Sequence, residues 1–429
     1  MNKTTKLLCV ILSVATLALS ANVNAKGGDK PPPPPPAPPA VNIPLEATLA
    51  PTGAVFRCGA RTAVSGDTAV SLCFAYTPTG AVGAAYVFQR TGTIWKQQAK
   101  LGVDTSDLIA EYNGHVAISG NTIALSAESL TVPGNSAVYV FQRSTSATGV
   151  VTWTRQAKIL SRANGDGFGA SSTAFGGSSN GGFALEGDTL AVGARVSDTT
   201  SGNDAGAVYV FKRSLNAWTQ TAKLSGSIPN ELFGGSVALS NGTLAVGSRG
   251  ATNGFDYVSS FSIFQNPTGT TTWNQQAKIN TPSSSSLGVM VDIDGDTLLV
   301  STPSFFSSFA YIYQRAGTVW SQQARLVPLG VSVNTNFNGF GSTTSLKGNI
   351  AAVGMPSTGS KTGRVFLYSR AGSTWTQKAS LTDPNTAELP LYGNSIDING
   401  NTLIVGSPAG SFGFVNLKGS SLVYRLPAF

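Results

Sequence analysis

Charge is scarce in this chain. Asp, Glu, Lys and Arg make up 11% of its 429 residues, against roughly 25% in an ordinary soluble domain. Histidine occurs once, at position 115, and cysteine three times. One His excludes a multi-histidine metal centre, and three Cys exclude a Cys-rich zinc module or a heavily stapled mini-protein. Missing too are a phosphate-cradling glycine loop and a Cys–His pair. Beyond the first 25 residues no run of 18 apolar residues occurs, so no later segment reads as a membrane-spanning helix. In place of these stand 49 Gly and 22 Pro.

Residues 1–25 read as a secretory signal peptide: Lys3 and Lys6 open it, an apolar run from Leu7 to Leu19 follows, and Val23-Asn24-Ala25 offers small residues for cleavage. Cys9 lies inside the apolar run and is lost with it, and no Cys stands at the end of that run, where lipidation would need one. The expected location is therefore secreted: extracellular, periplasmic or cell-surface. The mature chain keeps 26 basic against 20 acidic residues, too small an excess to imply nucleic acid. Residues 26–40 form a Gly/Pro-rich linker whose prolines Pro31 to Pro36, Pro38 and Pro39 favour a stiff polyproline II spacer.

The remainder, 41–429, is a repeat. Six tryptophans (Trp95, Trp153, Trp218, Trp273, Trp320 and Trp375) are each followed four residues later by Ala and, two further on, by Leu or Ile. Each is preceded by a short aromatic and aliphatic run such as Tyr86-Val87-Phe88 or Tyr209-Val210-Phe211, apolar on both faces and so read as a strand buried on both sides. Upstream lies a hairpin signal, as at Gly66-Asp67-Thr68 or Gly295-Asp296-Thr297; it recurs seven times, with most steps between 52 and 54 residues. Each repeat reads as four antiparallel strands A, B, C and D, and seven of them as an all-β, seven-bladed β-propeller. The seventh repeat stops after strand C at Ser421–Arg425, while Ile43–Leu49 carries the Ala-x-Leu ending of a D strand with Ile43 at the tryptophan position. The N-terminal strand is therefore expected to complete the last blade.

Phe233-Gly234-Gly235-Ser236, Phe340-Gly341-Ser342 and Tyr392-Gly393-Asn394, with the variants Leu287-Gly288 and Tyr112-Asn113-Gly114, recur in register with Ala191-Val192-Gly193-Ala194 and Ile404-Val405-Gly406-Ser407-Pro408. These elements resemble the FG-GAP repeats of integrin α-chain propellers and their bacterial secreted relatives, over nearly all of the mature chain. The resemblance implies a seven-bladed propeller used mostly for binding. It also brings a departure. Such repeats often carry a calcium loop between strands A and B, whereas the link here is a tight turn. The nearest candidate, Asp292-Ile293-Asp294-Gly295-Asp296, runs straight into strand B, and strand alternation is expected to send its carboxylates partly to opposite faces. No cofactor is expected; calcium is disfavoured there and at Asp198, Asn203 and Asp204.

Cys58 and Cys73 are the only cysteines of the mature chain and flank one A–B hairpin. If Ser65-Gly66 is the two-residue turn, Val64 opposes Asp67 and Cys58 opposes Cys73; in an oxidising compartment a disulfide is expected. His115 takes the place that Ser236 has in the fourth repeat and reads as a packed residue. The acids Asp67, Asp188 and Asp296 recur because the turn recurs, and read as turn chemistry. Basic residues recur at the ends of D strands (Lys100, Lys158, Lys223, Lys278, Arg325) and after C strands (Arg90, Arg143, Arg213, Arg315, Arg370), read as edge protection or, more sharply, as a ring for anionic glycans.

No residue set selects a reaction, so the chain is expected not to be an enzyme. The preferred function is adhesion or binding of an extracellular protein or glycan by a monomer. The B–C and D–A loops emerge on one face, where Tyr76, Phe255, Tyr257, Phe305, Phe306 and Phe337 are the candidate contacts. A glycan-active propeller enzyme or lectin, and a passive envelope component, are the competing readings. The enzyme would need two carboxylates converging on the loop face or the channel.

Overall fold

The computed structural model describes residues 41–429 except 54, 78–79, 110–113, 130–135, 164, 170–181, 253–255, 258, 268–269, 282–288, 304–307, 332–338, 357–362, 385–390 and 409–417. The chain divides into Met1–Ala37 and Pro38–Phe429. The leader and the linker lie outside the described residues.

Seven four-stranded antiparallel sheets make a seven-bladed β-propeller. Blade 1 shows the plan, with strands A (Thr62–Ser65), B (Thr68–Thr77), C (Gly80–Thr91) and D (Ile94–Leu101) adjacent in that order. The A strands of blades 2 to 7 are Val116–Ser119, Phe183–Glu186, Ser236–Ser240, Met290–Asp294, Thr343–Lys347 and Ser395–Asn399. In blade 7 strand C (Ser420–Arg425) pairs outward with Leu45–Leu49, so the N-terminal strand closes the ring as expected. Ile43, at the tryptophan position, is buried in the seam between blades 6 and 7.

Among the described residues the apolar core is divided by the seams. Seven apolar clusters each straddle one seam between neighbouring blades. That is why the C strands read as apolar on both faces: Tyr86, Val87 and Phe88 are all at most 2% exposed, because each blade has a neighbour on either side.

Every D strand carries one β-bulge, and the bulge falls on the residue three after the tryptophan position: Gln98, Gln156, Thr221, Gln276, Gln323 and Lys378, and Glu46 in the N-terminal strand. A bulge re-aims its side chain. Here it points a glutamine at the next blade, whose indole donates to it: Trp153 to Gln98 at 2.9 Å, Trp218 to Gln156 at 2.8 Å, Trp320 to Gln276 at 2.8 Å and Trp375 to Gln323 at 2.9 Å.

One sequence expectation changes in detail. The A–B turn of blade 1 is one residue later than expected: Ser65 opposes Thr68, so Gly66-Asp67 forms the turn. Positive φ at Gly66 alone fits a type II′ turn, and at both Asn241 and Gly242 a type I′ turn. In blade 3 the Phe-Gly element is Phe168-Gly169, and Phe168 is fully buried between blades 2 and 3. In blade 2 the seam is filled by Ile109; Tyr112 and Leu287-Gly288 lie outside the described residues. The glycines that end B strands are crowded by the next blade. A Cβ on Gly193 would stand 2.0 Å from the carbonyl oxygen of Gly234, and one on Gly406 2.1 Å from that of Gly59.

The Cys58–Cys73 disulfide is formed, with Cα atoms 4.1 Å apart. The register that brings them together differs from the expected one. Thr62 opposes Ser71, yet Phe56 opposes Phe74. The extra residues form a kink between Arg57 and Arg61, with positive φ at Arg57 and Gly59.

Candidate functional site

The two ends of the ring are built differently. At the A–B turn end, the last residue of each A strand reaches the turn of the next blade. Ser65 accepts from the amide of Gly120 (3.0 Å), Ser119 from Gly187 (3.0 Å), Glu186 from Asn241 (2.9 Å), Ser240 from Gly295 (3.0 Å), Asp294 from Gly348 (2.8 Å) and Asn399 from Gly66 (3.0 Å). Lys347 has no acceptor to offer and instead donates to Asp294 at 2.7 Å.

Farther out at the same end, arginines that follow C strands clamp neighbouring blades. Arg90 donates to Asp67 of its own turn (2.8 Å) and to Thr402 of blade 7 (3.1 Å). Arg213 joins Asp188 (2.7 Å) to Thr122 of blade 2 (2.9 Å). Arg315 joins Asp296 (2.6 Å) to Thr243 of blade 4 (3.2 Å), and Arg370 joins Asn349 (2.9 Å) to Thr297 of blade 5 (3.0 Å). Each guanidinium also lies 5.2–5.4 Å from the centroid of the tryptophan in its own blade. The reading of these four as a ring for anionic glycans is therefore corrected: they are seam clamps with their donors engaged.

The basic residues at the other end are engaged as well. Lys158 meets Asp107 at 2.9 Å and Lys278 meets Glu231 at 2.6 Å. Lys100, Lys223 and Arg325 stand over the rings of Tyr86, Tyr209 and Phe309.

The B–C and D–A end is elaborated beyond the blades. Strands B and C of blade 1 extend to Thr77 and Gly80, so Tyr76 stands on a projecting hairpin opposite Ala81 instead of in a loop. Blade 4 adds a small hairpin in which Tyr257 opposes Ala251. In blade 2 the segment Asp107–Leu108 pairs with the outer end of strand B. Thus Tyr76 and Tyr257 fall on this face at the level of the backbone. Phe255, Phe305, Phe306 and Phe337 lie outside the described residues.

Along the axis runs a cavity of about 200 Å³ lined by the A strands of all seven blades. The position two residues before the end of each A strand faces it: Ala63, Ala117, Ala184 and Ala238 in blades 1 to 4, then Asp292, Ser345 and Asp397 in blades 5 to 7. One side of the channel is thus alanine and the other carries two carboxylates. Both are held by backbone amides across or along a seam. Asp292 accepts from Leu346 (2.7 Å) and Ile293 (2.8 Å), and Asp397 from Val64 (2.8 Å). Burial, the largest cause, raises Asp292 to about 7 and Asp397 to about 6 against these hydrogen bonds, and the negative field of Asp397 adds to the rise at Asp292. On the far side His115 lines the same cavity against the edge of Phe183. Burial and then the charge of Arg61 push its imidazole down to about 3, so it is neutral.

Sequence reading placed His115 correctly as packed but missed the Asp292/Asp397 pair. The signal was present as a break in a column of alanines. The Asp292–Asp296 carboxylates part company as expected: Asp292 and Asp294 both reach toward blade 6, at Leu346 and Gly348, while Asp296 holds Arg315. In the cluster of blade 3, Asp198 accepts from the amide of Asp204 at 3.0 Å.

No family model matches the chain, and no curated protein matches it in sequence. Several solved structures are distantly similar to it. Sqt1 from Chaetomium thermophilum is 14% identical, with a TM-score of 0.47 over 90% of this chain and 91% of that one. The β-propeller domain of the Trilobed protease from Pyrococcus furiosus, described as having an open velcro topology, is 9% identical, with a TM-score of 0.48 over 86% of this chain and 93% of that one. An acylaminoacyl peptidase is 7% identical, with a TM-score of 0.48 over 86% of this chain and 51% of that one. The expectation that the chain is not an enzyme does not stand: peptidase structures are among these distant similarities, which at 7–12% identity fix no activity for this chain.

Proposed function

We propose that the chain is an exported binding propeller of the FG-GAP type that engages an extracellular protein or glycan through its B–C and D–A loop face. The inequality of the two ends carries this reading. One end is closed by two-residue turns, amide-to-side-chain bonds between blades and arginine clamps. The other presents projecting hairpins and the variable loops on a rigid ring, the arrangement in which scaffolds carry binding residues. Export is supported by the leader-like residues 1–25 and by the Cys58–Cys73 disulfide, a bond that persists in oxidising compartments. Among the described residues no helix is long and apolar enough to cross a membrane.

The test is a glycan and surface-protein binding screen on residues 41–429, with and without calcium, repeated with Tyr257, Phe305 and Phe306 changed together to alanine. Attachment is expected in the first and lost in the second. Unchanged attachment removes this face from the account.

A second reading has one observation behind it. Asp292 and Asp397 converge on one cavity with raised pKa values, and a pair of carboxylates is what glycosidic hydrolysis requires. Release of reducing sugar from a polysaccharide panel, abolished in Asp292→Asn, would establish it. No release from any member of the panel would dismiss it.

A further inference from the structure

The axial cavity, about 200 Å³, holds several waters but falls below the roughly 300 Å³ at which pockets for drug-sized ligands begin. Its wall is divided. Blades 2 to 4 face it with Ala117, Ala184 and Ala238, and blades 5 to 7 with Asp292, Ser345 and Asp397. Three acceptors on consecutive blades thus stand across the ring from three methyl groups.

The acceptors have no cation. Among the described residues no ion pair joins Asp292 or Asp397 to a basic side chain; Lys347, which ends the A strand of blade 6, pairs with Asp294 at 2.7 Å instead. Ser345 takes the amide of Ile398 at 3.0 Å and keeps a second lone pair. Burial raises the pKa of both carboxylates, a cost that a cation held between them would offset. The same cavity holds a second unanswered group. His115 lines it just ahead of the A strand of blade 2, and its Nδ1 is buried with no hydrogen-bond partner. His115 stands two residues before Ala117, so the register places it about 7 Å along the axis from the level of the carboxylates.

We propose that the axial cavity binds a short primary amine as its ammonium ion. An ammonium carries three donors and no acceptor. Asp292, Ser345 and Asp397 offer it three acceptors, two of them carboxylates, which make the stronger bonds. The alanine wall takes the carbon chain. His115 answers a neutral polar group at the other end of that chain, such as a hydroxyl; the charge of Arg61, which acts on this imidazole, disfavours a second cation there. A metal ion fits worse. Calcium takes six to eight oxygen ligands, and among the described residues no group of three or more His, Cys, Asp or Glu could hold an ion. The site lies on the axis and does not depend on the loop face.

The experiment is calorimetric titration of the purified protein, at mildly alkaline pH where both carboxylates are ionised, with butylammonium, aminobutanol and tetramethylammonium chlorides against sodium chloride at equal ionic strength. Saturable binding of both primary amines is expected, aminobutanol the tighter, with none of tetramethylammonium, which has no N–H to donate. Asp292→Asn and Asp397→Asn should each weaken it about tenfold or more. Ala184→Leu, which fills the apolar side and leaves both carboxylates, should abolish it, and His115→Leu should remove the advantage of aminobutanol. Asp198→Asn, the same charge change on an exposed loop residue, should leave binding unchanged. Where an Asn variant fails to fold, Ala184→Leu and tetramethylammonium decide. Acetyl-lysine amide separates the sources of the amine: binding like that of butylammonium assigns a lysine side chain, and refusal a free amine. No saturation beyond sodium, equal binding of tetramethylammonium, or an Asp292→Asn/Asp397→Asn variant that binds as wild type overturns the proposal. So does saturable calcium binding that the Asn variants lose, which would make this a metal site.

Discussion

The indole Nε1 of Trp95 donates to Oε1 of Glu46 at 2.8 Å, across a separation of 49 residues. Glu46 stands at the bulge that the other D strands give mainly to glutamine, and it also receives Arg90 at 3.3 Å, with both side chains under 10% exposed. One side chain thus joins the seam between the first and last blades in the way that Gln98 joins blade 1 to blade 2.

Glu46→Ala should therefore destabilise the ring by about 1–3 kcal/mol, because a half-buried indole and a guanidinium lose a shared acceptor together. Glu46→Gln restores the bond used at four other seams and should recover most of the loss. Urea midpoints at pH 7 measure both. Equal midpoints for Ala and Gln would show that the strand pairing alone holds the latch.

Reduction of Cys58–Cys73 reopens a loop of sequence separation 15, which chain entropy values at about 3 kcal/mol. A Cys58→Ser/Cys73→Ser variant should unfold at lower urea concentration, and dithiothreitol should not lower it further. The wild type should fall to match it in reductant.

Gly406→Ala should cost more than any other single-methyl addition in blade 7. The new Cβ would stand 2.1 Å from the Gly59 carbonyl oxygen and 2.2 Å from the Ser395 hydroxyl, which forces backbone apart at the closing seam, at a cost of roughly 3 kcal/mol or more. Gly102→Ala is the control, since its Cβ meets nothing within 4 Å. Thermal melting of the two variants side by side gives the comparison.

Stability should carry a signature of the axial carboxylates. Their folded pKa values, about 7 for Asp292 and about 6 for Asp397, lie above the unfolded value of about 3.9. Between about pH 4 and about pH 7 the folded chain then holds more protons, so these two groups make unfolding easier as pH rises through that window. His115 works in the opposite sense. With its pKa pushed down to about 3, it costs stability as pH falls below the ordinary imidazole value of about 6.5. The difference in unfolding free energy between an Asp292→Asn/Asp397→Asn variant and wild type should grow in the variant's favour from pH 4 to 7. A flat difference would mean that neither carboxylate titrates in that range.

The propeller was legible because each repeat writes the same local instructions. Turn residues such as Gly295-Asp296, a C strand apolar on both faces, and tryptophan with its following Ala and Leu are short-range signals, and seven copies leave one way to bury both faces of every sheet. The latch was legible for the same reason: Ala47 and Leu49 repeat the Ala-x-Leu ending of a D strand, with Ile43 at the tryptophan position. Partners across seams were not, since Asp397 meets Val64 and Asn399 meets Gly66 over a sequence separation of 333 residues. The turn register was read one residue early because Ser65, Gly66 and Asp67 all suit a turn, and only cross-strand pairing picks two of them.

The sequence by itself determined the strands, their order within a blade, the number of blades and which segment closes the circle, because these follow from periodicity and local chemistry. Closure decided the rest. Only when seven inner strands share one axis do Asp292 and Asp397 face a common cavity, and only when the first and last blades meet does Trp95 reach Glu46. Such meetings depend on distances between blades, which no single repeat encodes.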